Sequence, residues 1–244
     1  MLLRRVIEHI KDQNWTAVAL DLVIVIVGVF LGIQVSNWNA SQADRVNNKR
    51  YASYIVEDLR SDIEELKEVE AFMVRRVSAI NFLLQEALQD PPRWHIPPMS
   101  PDGIARRHFT PDEYPNLLHF ATFPAQVDSA TSAINSLISA EGLGLLNDPD
   151  LARALQSYLT YGLELDVYED GFIGYEQVSA HLLHAAGFSL LEPQEYSLVL
   201  ESLRAHKPLA AVLRTNRNTS LLHLILLASK LDRAEELLDA LGTL

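Results

Sequence analysis

Residues 17–35, AVALDLVIVIVGVFLGIQV, run for nineteen positions with only Asp21 and Gln34 polar. As a helix rising ~1.5 Å per residue, the stretch covers ~28 Å, the thickness of a bilayer's hydrocarbon layer. A helix in a soluble domain usually keeps one face for water, and this one has no such face. It reads as a single membrane span, which fixes anchoring better than it fixes any activity. A cleaved signal peptide fits less well: the apolar run is long, it contains Asp21, and the small-x-small site Ser41-Gln42-Ala43 lies well past its end.

Orientation follows less directly. Arg4, Arg5 and Lys11 precede the span, and Arg45, Lys49 and Arg50 follow it, so the positive-inside rule is tied. A short N-terminal tail that need not cross favours an N-terminus in the cytoplasm and a C-terminal domain in the periplasm. Residues 1–16 then form a short interfacial segment, with Leu2, Leu3, Val6, Ile7 and Ile10 against charges. Residues 17–36 are the span, bracketed by Trp15 and Trp38 at headgroup depth. Residues 40–244 are the soluble domain, long enough for a sizeable core.

Charge and cysteine content narrow the function classes. The first forty residues sum to zero, so the net charge of −12 belongs to the soluble part. That balance argues against nucleic acid, which selects Lys/Arg-rich faces. The chain has no cysteine, which excludes disulfides and thiolate chemistry.

Periodicity predicts an all-α fold: the transmembrane helix, then an antiparallel helical bundle with a long first helix. Ile55, Leu59, Ile63, Leu66, Val69, Met73, Val77, Ile80 and Leu84 recur in steps of three and four within a helix from about Ala43 to Leu88. Residues 90–116 hold seven of the eleven prolines and read as an irregular crossing or lid. A short helix is expected over Ala125 to Ala140. Asn147-Asp148-Pro149 reads as a helix cap. The long helix after it should bury Leu151, Leu155, Tyr158, Leu165, Tyr168, Phe172, Tyr175, Val178 and Leu182. Pro193 should open another short helix. The last is expected from about Ser220, with Leu221, Leu224, Ile225, Ala228, Leu231, Ala234, Leu238 and Leu241 inward.

Two stretches carry a family resemblance. Asp21 to Asn39 resembles the N-terminal span of a family of uncharacterised bacterial single-span membrane proteins. There an acidic residue opens the span, a glycine sits mid-span, and a Gln-x-x-Asn-Trp-Asn-like signature closes it. The matches are Asp21 (commonly Glu in the family), Gly28, Gln34, Asn37, Trp38 and Asn39. Leu137 to Tyr158 resembles the family's Ser-Gly-x-Leu … Leu-Arg-x-x-Leu-x-x-Tyr segment. Glu141-Gly142-Leu143 replaces its usual Ser-Gly-Asn, and Leu145, Leu146, Asn147, Leu151 and Tyr158 are kept. The resemblance covers about forty residues. It implies a bacterial membrane-anchored helical domain, and it brings no established activity, cofactor or catalytic residue.

The candidate functional residues start in the span. A carboxylate inside a membrane is expensive and marks a contact. Asp21, Val25, Gly28, Gly32, Ser36 and Asn39 share one helix face, and Gly28-x-x-x-Gly32 lets two backbones approach closely. Asp21, Gly28 and Gly32 are therefore candidates for association of the span with a second copy or another membrane protein. Gln34, Asn37, Trp38 and Asn39 form the membrane-interface signature. His181 and His184, at i and i+3 after Glu176, lack the spacing of a recognised zinc site and read as structural. Arg106-Arg107, with Trp94, His95 and His108 in the same loop, reads mainly as solvated charge. The Tyr158, Tyr161, Tyr168, Phe172 and Tyr175 series reads as packing, and the pairs Glu64/Glu65 and Glu235/Glu236 as solvated helix faces. No nucleophile elbow, phosphate loop or metalloprotease motif is present.

The sequence thus reads as a non-enzymatic interaction or scaffold module of the bacterial inner membrane, without cofactor. A ligand-sensing extracytoplasmic bundle is the alternative, weakened because the few residues before the span leave no room for an output domain. A metal-dependent envelope hydrolase stands further off. A buried polar pocket would favour the sensor and a large exposed apolar stripe the interaction module.

Overall fold

A computed structural model describes residues 15–94, 107–129, 131–139, 148–189 and 191–242. Every regular element among them is helical: α1 (Trp15–Leu88), a 3₁₀ turn (Pro111–Asn116), α2 (Leu117–Thr122), α3 (Ser132–Ser139), α4 (Pro149–Ala185), α5 (Tyr196–Ala205) and α6 (Lys207–Gly242). The chain divides into two compact units, Met1–Tyr51 and Ala52–Leu244. In the first, α1 supplies one helix near the N-terminus long and apolar enough to cross a membrane.

The second unit is a bundle. All nine α1 residues picked out by periodicity, Ile55 to Leu84, are buried. α6 runs antiparallel to α4: Tyr161 and Tyr168 of α4 donate to the carbonyls of Leu226 and Thr219 respectively. α6 also opposes α1, where Asp62 meets Lys230 and Asn81 meets Arg217. α1 and α4 share a direction, since Asp62 meets Tyr158 and Arg76 meets Glu176, and residues 123–129 form a return segment beside them. One core cluster joins Ile80, Leu83 and Leu84 of α1 with Leu117, Leu183, Leu200 and Leu213. Another joins Leu66, Val69, Met73 and Val77 with Leu165, Leu221, Leu224 and Leu227.

The local signals for α4 hold. Asp148 sits in an extended conformation and its side chain accepts from the backbone N–H groups of Asp150 and Leu151, with Pro149 in the first turn. Asn147 lies outside the described residues.

Four expectations need correction. The helix expected from Ala125 starts only at Ser132. Side chains occupy the backbone groups before it: Arg76 takes the Phe123 carbonyl, Glu169 the Val127 N–H and Glu65 the Asp128 N–H. The proline-rich stretch is not irregular throughout, since Pro111 opens a 3₁₀ turn that leads into α2. Glu113 in that turn reaches back to the Thr110 N–H at 3.1 Å. α6 begins at Lys207, thirteen residues before the expected Ser220, and buries Leu209, Ala210, Val212 and Leu213 in the added turns. The short helix near Pro193 starts at Tyr196, because Gln194 is held outside it with its N–H on the Pro115 carbonyl.

Replacing Asp148 with Ala should lower the stability of the full chain by about 1 kcal/mol, the usual cost of losing such a cap. A urea titration in detergent, followed by circular dichroism, measures it.

Candidate functional site

The residues of the apolar N-terminal helix come first. Every described side chain from Ala19 to Ala43 is exposed, and a Cβ placed on Gly28 or Gly32 would meet nothing within 4 Å. At 100° per residue, the helix sets Asp21, Gly28, Gly32 and Asn39 on one face. It does not bring the interface signature together with them: Gln34, Asn37 and Trp38 lie on the far side.

The interior of the bundle holds what the sequence pattern did not reveal. Asp62, Arg76, Asn81, Glu169, Glu176, Asn216, Arg217, His223 and Lys230 are all buried. Seven of them recur in steps of seven or fourteen: Asp62 and Arg76 on α1, Glu169 and Glu176 on α4, Asn216, His223 and Lys230 on α6. Heptad spacing keeps each set on one line of its helix. The three lines meet as a column of polar layers.

In the first layer Asp62 accepts from the Tyr158 hydroxyl and lies 3.4 Å from Lys230. Lys230 donates to Ser129 on the return segment, and Gly162 leaves room beside its ammonium, at 3.8 Å from a placed Cβ. A hydroxyl beside a lysine invites comparison with a Ser–Lys nucleophile pair. Here the lysine already faces a carboxylate and donates to Ser129, where an activating base would accept. In the second layer His223 Nε2 donates to Glu169 at 2.7 Å, and the same carboxylate takes the Val127 N–H.

The third layer is an ion pair between Arg76 and Glu176, both buried. Arg76 also donates to the Phe123 carbonyl at 3.0 Å and stacks over the Phe172 ring at 5.0 Å. Burial pulls the Arg76 guanidinium below its ordinary value, while Glu176 works against that. Burial likewise pushes the Glu176 carboxyl up, while Arg76 pulls it down. Each charge is tolerable only because the other is there. In the last layer Arg217 donates to Asn81, whose amide also pairs with both the N–H and the carbonyl of Arg93.

The other sequence candidates separate. Glu176 belongs to the column, and His181 and His184 are exposed on the outside of α4. Among the described residues, no group of three or more His, Asp or Glu side chains is arranged to hold a metal ion. Arg107 pairs with Glu113 at 2.6 Å. Arg106 and His95 lie outside the described residues. Of the aromatic series, Tyr158 and Phe172 are buried and Tyr161 and Tyr168 half-buried, but Tyr175 faces outward.

That outward Tyr175 reflects a turn in the expected face of α4. In its second half Glu169, Phe172, Glu176, Ser179 and Leu183 point in. Leu163, Val167, Tyr175 and Val178 point out. The last helix shows the same swap, with Ser220, His223, Leu227, Lys230 and Leu237 buried while Ile225, Ala228, Leu231 and Leu238 are half-buried.

An open cleft of about 410 Å³ reaches the edge of the column between the return segment and α4. Gln126, Asp128, Ser129, Thr131, Asp166, Glu169 and Asp170 line it. It is polar, acidic and shallow. Neither a family model nor any curated protein or solved structure matches the chain.

Two outcomes follow from the column. Glu176→Ala should destabilise the full chain by about 3–5 kcal/mol by stranding Arg76, whereas Arg76→Met with Glu176→Leu should be neutral or stabilising. Urea midpoints for the three chains decide this. Burial also pushes the Tyr168 and Tyr196 phenols up to about 12 from an ordinary 10. The stability they contribute is complete below pH 10 and is lost as the pH climbs through about 12. The urea midpoint should therefore fall between pH 10 and 12, and fall less in a Tyr168→Phe, Tyr196→Phe chain.

Proposed function

We propose that this chain is a membrane-anchored, non-enzymatic interaction module of the bacterial cell envelope. Residues 17–36 cross the inner membrane once, with the N-terminus in the cytoplasm and the helical bundle in the periplasm. The observation that carries this reading is uncovered apolar surface. From Leu20 to Val35 the large apolar side chains of α1 are 49–62% exposed. A surface of that kind is stable in lipid or against another apolar helix.

The bundle supports the same reading. Arg76, His223 and Lys230 are each paired with a carboxylate in the interior layers, so these groups are engaged with one another rather than turned toward a substrate. The cleft at Ser129 and Glu169 is open and shallow, whereas ligand sites enclose most of their ligand. This ranks interaction ahead of ligand sensing.

Within the membrane, Asp21, Gly28 and Gly32 form the contact face. The glycines let a second helix approach closely, and Asp21 finds a hydrogen-bond partner across the pair. Gln34, Asn37, Trp38 and Asn39 hold the end of the span at the headgroup layer. The partner is a second copy or another membrane protein.

Two measurements test the reading. Alkaline phosphatase fused after Leu244 should be active and a fusion that reports cytoplasmic folding inactive; the reverse pattern overturns the orientation. In a membrane two-hybrid assay, Gly28→Leu with Gly32→Leu should drop self or partner association to background. An unchanged signal removes the span from the interface.

A further inference from the structure

From Leu163 onward α4 turns Glu169 and Glu176 inward and leaves a line of apolar residues outward. Leu163, Val167 and Val178 are 66%, 73% and 59% exposed. Gly171 and Gly174 lie between them, and a Cβ on either would meet nothing within 4 Å. At 100° per residue the five positions stay within one quadrant of the helix, over about 22 Å of its length. A groove of about 230 Å³ between α3 and α4 opens at one end of the stripe, lined by Asn135, Leu159, Gly162, Leu163 and Asp166 among others. The stripe therefore combines a flat glycine bed with a side-chain pocket.

The margin along Asp166 and Asp170 is acidic, whereas Glu164 on the other margin shares a surface hollow with Arg233 of α6. Glu164, Asp166 and Asp170 are exposed beside it, and α4 has no Lys or Arg after Arg153. Burial holds the Asp166 carboxyl above its ordinary value, helped by Glu169, Asp170 and Asp62 and opposed by Lys230. Like charges crowd this margin, and a cation brought to it is stabilised. A second copy docked about a two-fold axis would set these acids against themselves. An anionic bilayer would meet the same repulsion.

We propose that the outer face of α4, from Leu163 to Val178, docks an amphipathic helix of a partner protein whose apolar face is flanked by Lys or Arg. The apolar side of that helix lies on Gly171 and Gly174 and sends one large side chain into the groove at Leu163. A basic flank of it meets Asp166 and Asp170. The inference rests on the interaction-module reading and supplies the soluble surface that the span alone does not.

The test uses the full chain in detergent micelles. One probe is an 18-residue helical peptide with a Leu/Ala face flanked by Lys; its twin carries Glu at every Lys position. Because the chain has no cysteine, Val167→Cys and Glu68→Cys each place a photo-cross-linker at a single site. The Lys peptide should bind saturably and cross-link from position 167 but not from 68. Val167→Asp should weaken it by at least about tenfold, as at the centre of an interface, with the thermal melt unchanged. Asp166→Asn with Asp170→Asn should erase the preference over the Glu twin.

Equal binding of the two peptides, binding unaffected by Val167→Asp, or no binding overturns the proposal. So does a 167-to-167 cross-linked dimer, or lipid contact reported by a fluorophore at 167 in phosphatidylglycerol nanodiscs. The wider reading fails separately. If cross-linked partners in native membranes survive Val167→Asp but vanish with Gly28→Leu and Gly32→Leu, the α4 face is wrong and the module stands. If neither change alters the cross-linking pattern, the module reading falls as well.

Discussion

The Arg76–Glu176 pair sets the terms for the rest of the bundle. Two charges in an apolar interior are tolerated only at contact distance, so the pair fixes where α1 and α4 lie along one another. A slip of one residue on either helix would leave both charges buried and alone. Arg76 also holds the Phe123 carbonyl, which ties the return segment to the same layer. The other layers repeat the device: Glu169 holds Val127, and Lys230 holds Ser129. A stretch without helical hydrogen bonds can therefore run beside the core, because charged side chains satisfy its backbone.

Paying for register with polar residues has a consequence at the surface. α4 has one inward line in its second half, and Glu169, Glu176 and Ser179 occupy much of it. Leu163, Val167 and Val178 are left to face out, with no core to enter. The bundle thus presents apolar surface outside while hiding ion pairs inside. Exposed apolar surface of that kind is a surface available for contact, which is what the proposed interaction role draws on. The uncovered apolar helix of the first unit points the same way.

How far the sequence could be read depended on how far apolar periodicity governed packing. On α1 it governs well: each apolar residue from Ile55 to Leu84 in the three-four pattern is buried. Asp62 and Arg76 fall on the same line and were hidden in a helix rich in solvated charge. On α4 and α6 the polar members of the inward face broke the pattern. Apolar spacing alone places the start of α6 at Ser220, thirteen residues late, because the buried Asn216 and Arg217 interrupt the apolar pattern before it. Tyr175 and Val178 read as core because a purely apolar rule cannot assign Glu176 and Ser179 inward. The signal that would have found the column is polar: Glu169 and Glu176, or Asn216, His223 and Lys230, at intervals of seven. For the apolar helix near the N-terminus, composition marked the stretch, and a regular helix was enough to separate Gln34, Asn37 and Trp38 from the glycine face.

The central claim is that from Leu163 onward α4 turns Glu169 and Glu176 in with Leu165 and Phe172, and leaves Leu163, Val167 and Val178 out. Single cysteines introduced at 163, 165, 167, 172 and 178, each in the otherwise cysteine-free full chain in detergent, allow it to be measured by the rate of maleimide labelling. The account predicts fast labelling at 163, 167 and 178 and slow labelling at 165 and 172, whose native residues are buried. Protection at 167 and 178 with rapid labelling at 165 and 172 would contradict it.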